Sequence, residues 1–411
     1  MTLPHAHRRR LGGFLVATVT AAAATMIAAP ATSAVGSHEI RHAGSATAIP
    51  DSYIVVLKDS AVGGRAGTRH ATVSTLASRL AERYGATLDR VYGDALNGFQ
   101  AHLAEPAARR LAADPAVAYV EQDHTVQLTT TQFNAPWNLD RIDQASPPLT
   151  TTYDYTSQGT GVKAYIIDSG VQIGHQDFGG QAIYGYDAVD GLPPANDCNG
   201  HGTHAAGVTG GSLYGVAKNV VLVAVKVYDC LVPGNLAMIL DGINWVTADH
   251  LSGQPAVANL GVQTGYSAAL NAAVTNSIAD GVTYTVAAGN SNGNACNHSP
   301  ASVPNAITVG ATTSNDARAS YSNYGTCLDI FAPGSGVISA WHTSNSATAT
   351  LSGTSQAAPH LAGAAARVLS NNPTWTPAQV ASYLTSTATI GVVTNPGVGS
   401  PNRLLYLSPT T

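Results

Sequence analysis

Val162-Lys-Ala-Tyr-Ile-Ile-Asp168-Ser-Gly170 is the stretch that decides the architecture. An apolar run stops at a short acidic side chain followed by Ser-Gly. A strand buried on both faces reads this way, as in parallel sheets covered by helices. Further strands are expected at Val220–Val227, Ala256–Leu260, Val282–Ala287 and Ala306–Val309. Between them, helices are expected to start at His201, Asn235, Tyr266, Ser355 and Thr376. Strands alternating with helices predict an α/β domain built on a doubly wound parallel sheet. Such sheets place their sites beyond the carboxyl ends of the strands, where Asp168 stands.

Working outward, the 411-residue chain is 45% hydrophobic and only 10% charged, against roughly 25% charged in average soluble domains. That composition suits a large core with many turns and excludes disorder. From Thr130 onward there are seven Lys and Arg, fourteen Asp and no Glu, a balance that argues against a nucleic-acid partner. Near the start of the chain stand Arg8-Arg-Arg10, then a stretch rich in Ala, Gly and Thr, then Thr32-Ser-Ala34. Residues 1–34 read as an export signal cleaved after Ala34, and Arg8-Arg9 is also compatible with twin-arginine export. No later run has the roughly 18 apolar residues of a membrane span, so no stable membrane association is expected. Residues 35–50 read as a linker. Residues 51–129 read as a small α+β unit: a strand from Ser52, a helix at Thr72–Tyr84, a hairpin over Leu88–Leu103, a helix from Pro106 and a strand at Ala116–Glu121. The order β-α-β-β-α-β is ferredoxin-like.

Three motifs carry candidate chemistry: Asp168-Ser-Gly170, Asn199-Gly-His201-Gly-Thr-His204, and Ser352-Gly-Thr-Ser355-Gln-Ala-Ala-Pro359. A serine hydroxyl is a poor nucleophile unless an imidazole takes its proton, and the imidazole needs a carboxylate to fix its tautomer. A fourth element must hold the oxyanion. Asn290, ending Thr283-Tyr-Thr-Val-Ala-Ala-Gly-Asn290, offers a side-chain amide whose loss in such a role costs about 10²–10³ in kcat. Each residue has a plainer reading: Asp168 and Asn290 as turn residues, and Ser355 as the cap of its helix, a role it is expected to fill as well. His201 and His204 also have the spacing of a metal pair. Four cysteines in an exported chain point to two disulfides with three pairings open.

The order Asp…His…Ser with DSG, HGTHAAG, AAGN and GTSxAxP resembles the subtilisin-like serine peptidases, most of all their proteinase K and aqualysin branch. APWNLDRID, DCNGHGTH, SPASVPNAITVGA, SNYGTCLDIFAPG and SPNRLLY extend the resemblance over nearly all of residues 130–411. It implies a secreted endopeptidase acting on proteins and peptides, with Asp168, His201 and Ser355 as the triad, Asn290 at the oxyanion and no catalytic cofactor. It makes His204 structural. Residues 51–129 resemble the family's inhibitory prodomain, removed by self-cleavage near Thr130, and a monomer is the family default. It implies the pairs Cys198–Cys230 and Cys296–Cys327. It implies Ca²⁺ at Asp329 with Pro304 and Ala306, and at Asp140, Asp143 and Gln144. The substrate is expected between Gly261-Val262-Gln263 and Ala287-Ala288-Gly289. Two departures from the pattern stand out, at Gln356 and in the run Gly261-Val262-Gln263-Thr264, where the family usually reads Ser-Leu-Gly-Gly. Gln356 replaces the usual Met after the nucleophile, removing an oxidisable thioether, so activity is expected to tolerate dilute peroxide. Gln263 brings a side chain where the family has glycine, and poorer handling of bulky residues is expected.

Overall fold

The computed structural model describes residues 39–45, 48–63, 68–126, 129–191, 194–230 and 234–409. The expected export signal lies outside the described residues. The chain divides into two compact units, Met1–Val126 and Gln127–Thr411.

The first unit holds β1 (Ala48–Leu57), α1 (Arg69–Tyr84), β2 (Thr87–Tyr92), β3 (Gly98–His102), α2 (Glu105–Ala112) and β4 (Val117–His124). The sheet is antiparallel with order β2-β3-β1-β4. Val73, Leu76, Ala77 and Leu80 recur along α1 and are all buried against the sheet. Pro106 opens α2, where its missing N–H costs nothing. The expected linker is shorter than 35–50. Ile40 is buried in this core, the Arg41 guanidinium lies 3.7 Å from the Tyr119 ring centroid, and β1 already begins at Ala48.

The second unit contains β5 (Lys163–Asp168), β6 (Ala182–Asp187), α3 (His201–Gly210), β7 (Val221–Lys226), α4 (Leu236–Asp249), β8 (Ala256–Leu260), α5 (Ala268–Asp280), β9 (Thr283–Ala287), β10 (Ile307–Thr312), β11 (Ile330–Pro333), α6 (Thr354–Asn371), α7 (Pro377–Thr387), β12 (Thr389–Ile390) and β13 (Arg403–Leu404). They build a sheet of order β12-β13-β11-β10-β9-β8-β5-β7-β6. Every pairing in it is parallel except β12 with β13. Along β5 the side chains alternate between two cores. Ala164 and Ile166 join the cluster under α3 and α6, while Tyr165 and Ile167 join the one under α4 and α5. That two-sided burial is why the deciding run is apolar from Ala164 to Ile167.

Small residues set how closely the helices pack. On α6, Ala357, Ala358, Ala362 and Ala364 to Ala366 are fully buried. A Cβ on Gly363 would come within 2.6 Å of the Thr209 carbonyl on α3. The close α3–α6 crossing brings the N-termini of both helices to one end of the sheet. The chain leaves β5 toward β6 and β7 on one side and returns to β8 on the other. The crevice beyond the ends of β5 and β8 is therefore a topological switch point.

Two disulfides, Cys198–Cys230 and Cys296–Cys327, have Cα separations of 5.4 and 5.3 Å. They close loops of 32 and 31 residues, each stabilising by about 3–4 kcal/mol on the chain-entropy account.

Candidate active site

Asp168 ends β5 and is 1% exposed. His201 opens α3, and Ser355 is the second residue of α6. The three side chains meet. His201 Nδ1 donates to both Asp168 carboxylate oxygens at 2.8 Å, and Ser355 Oγ donates to His201 Nε2 at 2.9 Å. The Ser169 backbone N–H also donates to Asp168 Oδ1 at 2.8 Å. Burial draws the His201 pKa down, but the charge and hydrogen bond of Asp168 outweigh it and hold the ring above the ordinary imidazole value.

His201 depends on a loop held by Asp197. That buried carboxylate accepts from Ser169 Oγ and the N–H groups of Asn199, Gly200 and Thr203, and from Thr203 Oγ1 at 2.5 Å. Gly202 has no room for a side chain, since its Cβ would lie 2.1 Å from the Gly170 carbonyl oxygen. His204 is engaged elsewhere. Its Nε2 meets the Val337 carbonyl at 3.0 Å, and burial pushes its pKa down to about 4. With both nitrogens of His201 committed to Asp168 and Ser355, the two histidines act as separate hydrogen-bonding rings, not as a metal pair.

Asn290 is oriented by Thr354. Its Oδ1 accepts from the Thr354 N–H and Oγ1, both at 2.9 Å. Thr354 Oγ1 in turn accepts from the Gly289 N–H at 3.0 Å. With Oδ1 occupied, the Nδ2 hydrogens face the space above Ser355. A Cβ on Gly353 would stand 2.7 Å from Gln356 Oε1, 3.1 Å from Ser355 Oγ and 3.4 Å from Asn290 Nδ2. Glycine there lets these groups converge without a side chain between them, beside an N–H of the first helical turn that no helical carbonyl reaches.

One reading of this helix changes. Its N-cap is Gly353, with no side-chain cap bond, so Ser355 lies two positions too deep to cap it. Pro359 is the sixth helical residue, past the first turn, and it leaves the Ser355 carbonyl without its helical donor.

The expected substrate segments border this space. Gly261, Val262 and Gln263 follow β8 outside any strand. Together with Asp168, His201 and Tyr228 they line a cavity of about 530 Å³. Ala287, Ala288 and Gly289 are buried, and this segment is held by Asn323. Its Nδ2 donates to the Ala288 carbonyl, and its Oδ1 accepts from the N–H groups of Ser291 and Gly293. Gln356 is buried and touches the nucleophile, its Oε1 3.3 Å from Ser355 Oγ and its Nε2 3.4 Å from His201 Nε2. Asp197, Thr354 and Asn323 were not singled out by sequence reasoning. All three lie inside or beside the quoted motifs, but bonds to backbone across loops leave no local pattern.

The candidate calcium residues group as expected in part. Asp140 Oδ1 accepts from the Thr150 N–H at 3.0 Å and Thr150 Oγ1 at 3.2 Å. The Gln144 amide touches Asp140 Oδ1 and lies 2.8 Å from Thr150 Oγ1, which is 2.7 Å from Thr152 Oγ1. Asp143 Oδ2 accepts from the Asp154 N–H, while its buried Oδ1 has no partner among the described residues. Burial, with the charges of Asp140 and Asp154 adding, pushes the Asp143 carboxyl up to about 7. The Gln144 carbonyl is fixed by Arg141, itself buried and paired to both oxygens of Asp316. Asp329 lines a separate cavity of about 650 Å³ with Pro304 and Ala306, and burial pushes it up to about 6. Among the described residues no group of three His, Cys, Asp or Glu could hold a metal ion. Any cation here needs oxygens from Gln, Thr or backbone.

Comparison with known proteins fits this geometry. Residues 159–404 match the subtilase family, and residues 52–129 match the peptidase inhibitor I9 family. An extracellular serine proteinase from Thermus sp. (strain Rt41A) is 52% identical over 322 residues, 78% of this chain and 78% of its own. Alkaline serine exoprotease A from Vibrio alginolyticus is 45% identical over 366 residues, 87% of this chain and 68% of its own. A crystal structure of a cold adapted subtilisin-like serine proteinase superposes with a TM-score of 0.64 at 49% identity, covering 66% of this chain and 98% of that one. Fold, site and sequence agree: the chain belongs to the subtilase family, preceded by a segment of the peptidase inhibitor I9 family.

Proposed function

We propose that the chain is a secreted serine endopeptidase in which Asp168, His201 and Ser355 form the catalytic triad. The observation carrying this is the continuous hydrogen-bonded line from the Asp168 carboxylate through His201 to Ser355 Oγ, ending beside the Asn290 amide. Ser355 Oγ attacks a peptide carbonyl carbon while His201 Nε2 takes its proton. Asn290 Nδ2 and the Ser355 N–H receive the negative charge that forms on the carbonyl oxygen. The imidazolium, held by Asp168, gives its proton to the leaving amine as the carbon–nitrogen bond breaks. Water, deprotonated by the same ring, then releases the acyl group and restores the hydroxyl.

The first unit serves as the enzyme's own inhibitor until it is cut away near Thr130, a position close to the Val126–Gln127 unit boundary and the end of the inhibitor match at 129. The mature enzyme works as a monomer, free of membranes and of nucleic acid. Among the described residues no helix is long and apolar enough to cross a membrane.

A fluorophosphonate probe tests the triad directly. Labelling of the mature enzyme confined to Ser355, with loss of peptide hydrolysis in step, is the expected result. A protein that cleaves peptides yet refuses the probe contradicts the mechanism, and one that does neither is a regulatory relative without catalysis.

Calcium belongs to this proposal as a structural ion. The unpartnered Asp143 Oδ1 and the hydroxyls at Thr150 and Thr152 suit a hard cation held with Asp140 and Gln144. Asp329, with backbone oxygens at Pro304 and Ala306, is the second position. Such an ion ties loops together and takes no part in bond cleavage. Asp143 gives the sign of the pH effect. Its folded pKa, about 7, lies above the unfolded value of roughly 3.9. Without a cation its contribution is full at acid pH and is lost as pH rises through about 7, and a bound cation offsets that loss. Chelation is therefore expected to lower Tm by roughly 5–10 °C at pH 8 and by much less at pH 5, measured by scanning calorimetry. Equal or absent effects at both pH values would remove the ion from these residues.

A further inference from the structure

β8 and β9 are parallel neighbours with Leu260 beside Val286. Their chain ends run out of the sheet as Gly261–Gln263 and Ala288–Asn290. Gly261 flanks the reacting groups, for a Cβ there would lie 3.1 Å from Asp168 Oδ2, 3.3 Å from His201 Cε1 and 3.5 Å from Ser355 Cβ. Asn290 flanks them from the other side. A peptide carbonyl held against Ser355 Oγ with its oxygen toward Asn290 therefore lies between the two chain ends. The side chain of the residue bearing that carbonyl must enter the crevice separating them.

Gln263 spans this crevice. Its Oε1 accepts from the Asn290 backbone N–H at 3.1 Å, and its Nε2 lies 3.5 Å from Ser291 Oγ. The amide packs against Gly289, where a Cβ would stand 2.4 Å from Gln263 Cδ and 2.5 Å from its Oε1. Gly289, at φ +101°, is buried beneath it. The side chain thus occupies the room between the strand ends and ties down the peptide unit that carries the Asn290 amide.

We infer that Gln263 determines specificity, closing the crevice so that the residue on the acyl side of the cut is small: Gly, Ala or Ser. The inference rests on the serine-peptidase reading above. A Phe or Leu side chain has to displace the Gln263 amide. Doing so leaves the Asn290 N–H facing hydrocarbon without its acceptor. It also loosens the residue that holds the oxyanion, so bulky substrates lose kcat as well as binding.

The test uses the mature enzyme with succinyl-Ala-Ala-Pro-Xaa p-nitroanilides, Xaa being Ala, Leu or Phe, and active sites counted by fluorophosphonate titration. Wild type is expected to favour Ala, with the deficit for Phe visible in kcat. Gln263→Gly and Gln263→Ala are each expected to raise the Phe-to-Ala ratio of kcat/KM by roughly tenfold or more. Titration separates this from misfolding, because each rate is expressed per labelled site. A wild type that prefers Phe or Leu, or an unchanged ratio in both variants, overturns the inference. A wild type that neither labels nor cleaves any member of the series instead defeats the serine-peptidase reading beneath it.

Discussion

Replacing Ser355 with alanine is expected to lower peptide hydrolysis by on the order of 10⁶ in kcat and to leave the precursor uncut. The hydroxyl makes hydrogen bonds to His201 Nε2 and Gln356 Oε1, so its loss removes the nucleophile while the packing of α6, which rests on buried alanines, stays intact. Any residual rate above that of water comes from the Asn290 amide and substrate binding alone, about 10³–10⁴. Two measurements check this: turnover of a peptide p-nitroanilide, and the mass of the purified precursor after incubation. Wild type should shed roughly its first 129 residues, matching the inhibitor segment that ends at 129. Ser355→Ala that shortens itself at the wild-type rate would show that another group performs the cut.

Asp168→Asn is expected to cost about 10⁴ in kcat and to move the pH profile. The native carboxylate accepts the Nδ1 hydrogen at 2.8 Å through both oxygens. An amide turned to present its NH₂ would favour the opposite tautomer and take the lone pair from Nε2. The pH shift has a definite sign. Acyl transfer needs the neutral ring, and Asp168 raises the His201 pKa against the lowering effect of burial. The acid limb of wild-type kcat/KM should therefore lie above the ordinary imidazole value of roughly 6.5. In Asp168→Asn only the smaller effect of the Asp197 charge still opposes burial, and the limb should fall below it. Rates recorded from pH 5 to 10 decide the matter. A limb that stays in place in the variant would mean that Asp168 does not set the charge of His201.

The central strands were legible because each is buried on both faces and so reads as a mostly apolar run, interrupted only by residues such as Asn259 and Thr285. Ala256–Leu260 and the expected helix starts at His201 and Thr376 coincide with or adjoin the observed elements. β6 was not legible, since the half-exposed Tyr184-Gly185-Tyr186 of an outer strand has neither a continuous nor an alternating pattern. The antiparallel pair Val337–Ala340 with Thr348–Leu351 escaped because each strand is only four residues long, too short for a pattern to stand out. At the site, residue types and motif order gave Asp168, His201, Ser355 and Asn290. What sequence could not give was the direction of side chains. Gln263 was readable as an obstruction, but its hydrogen bond to the Asn290 N–H depends on two chain ends that only the sheet brings together. Ser355 looked like a helix cap because caps and second positions share residue preferences, and only the backbone at Gly353 separates them.

Gln356 gives the resting hydroxyl a choice. Its proton can point at the imidazole, the nearer acceptor, or at an amide oxygen that leads to no reaction. Only the first of these hydrogen bonds lies on the route of proton transfer, so a side chain with no chemistry of its own competes with the general base for the nucleophile's proton.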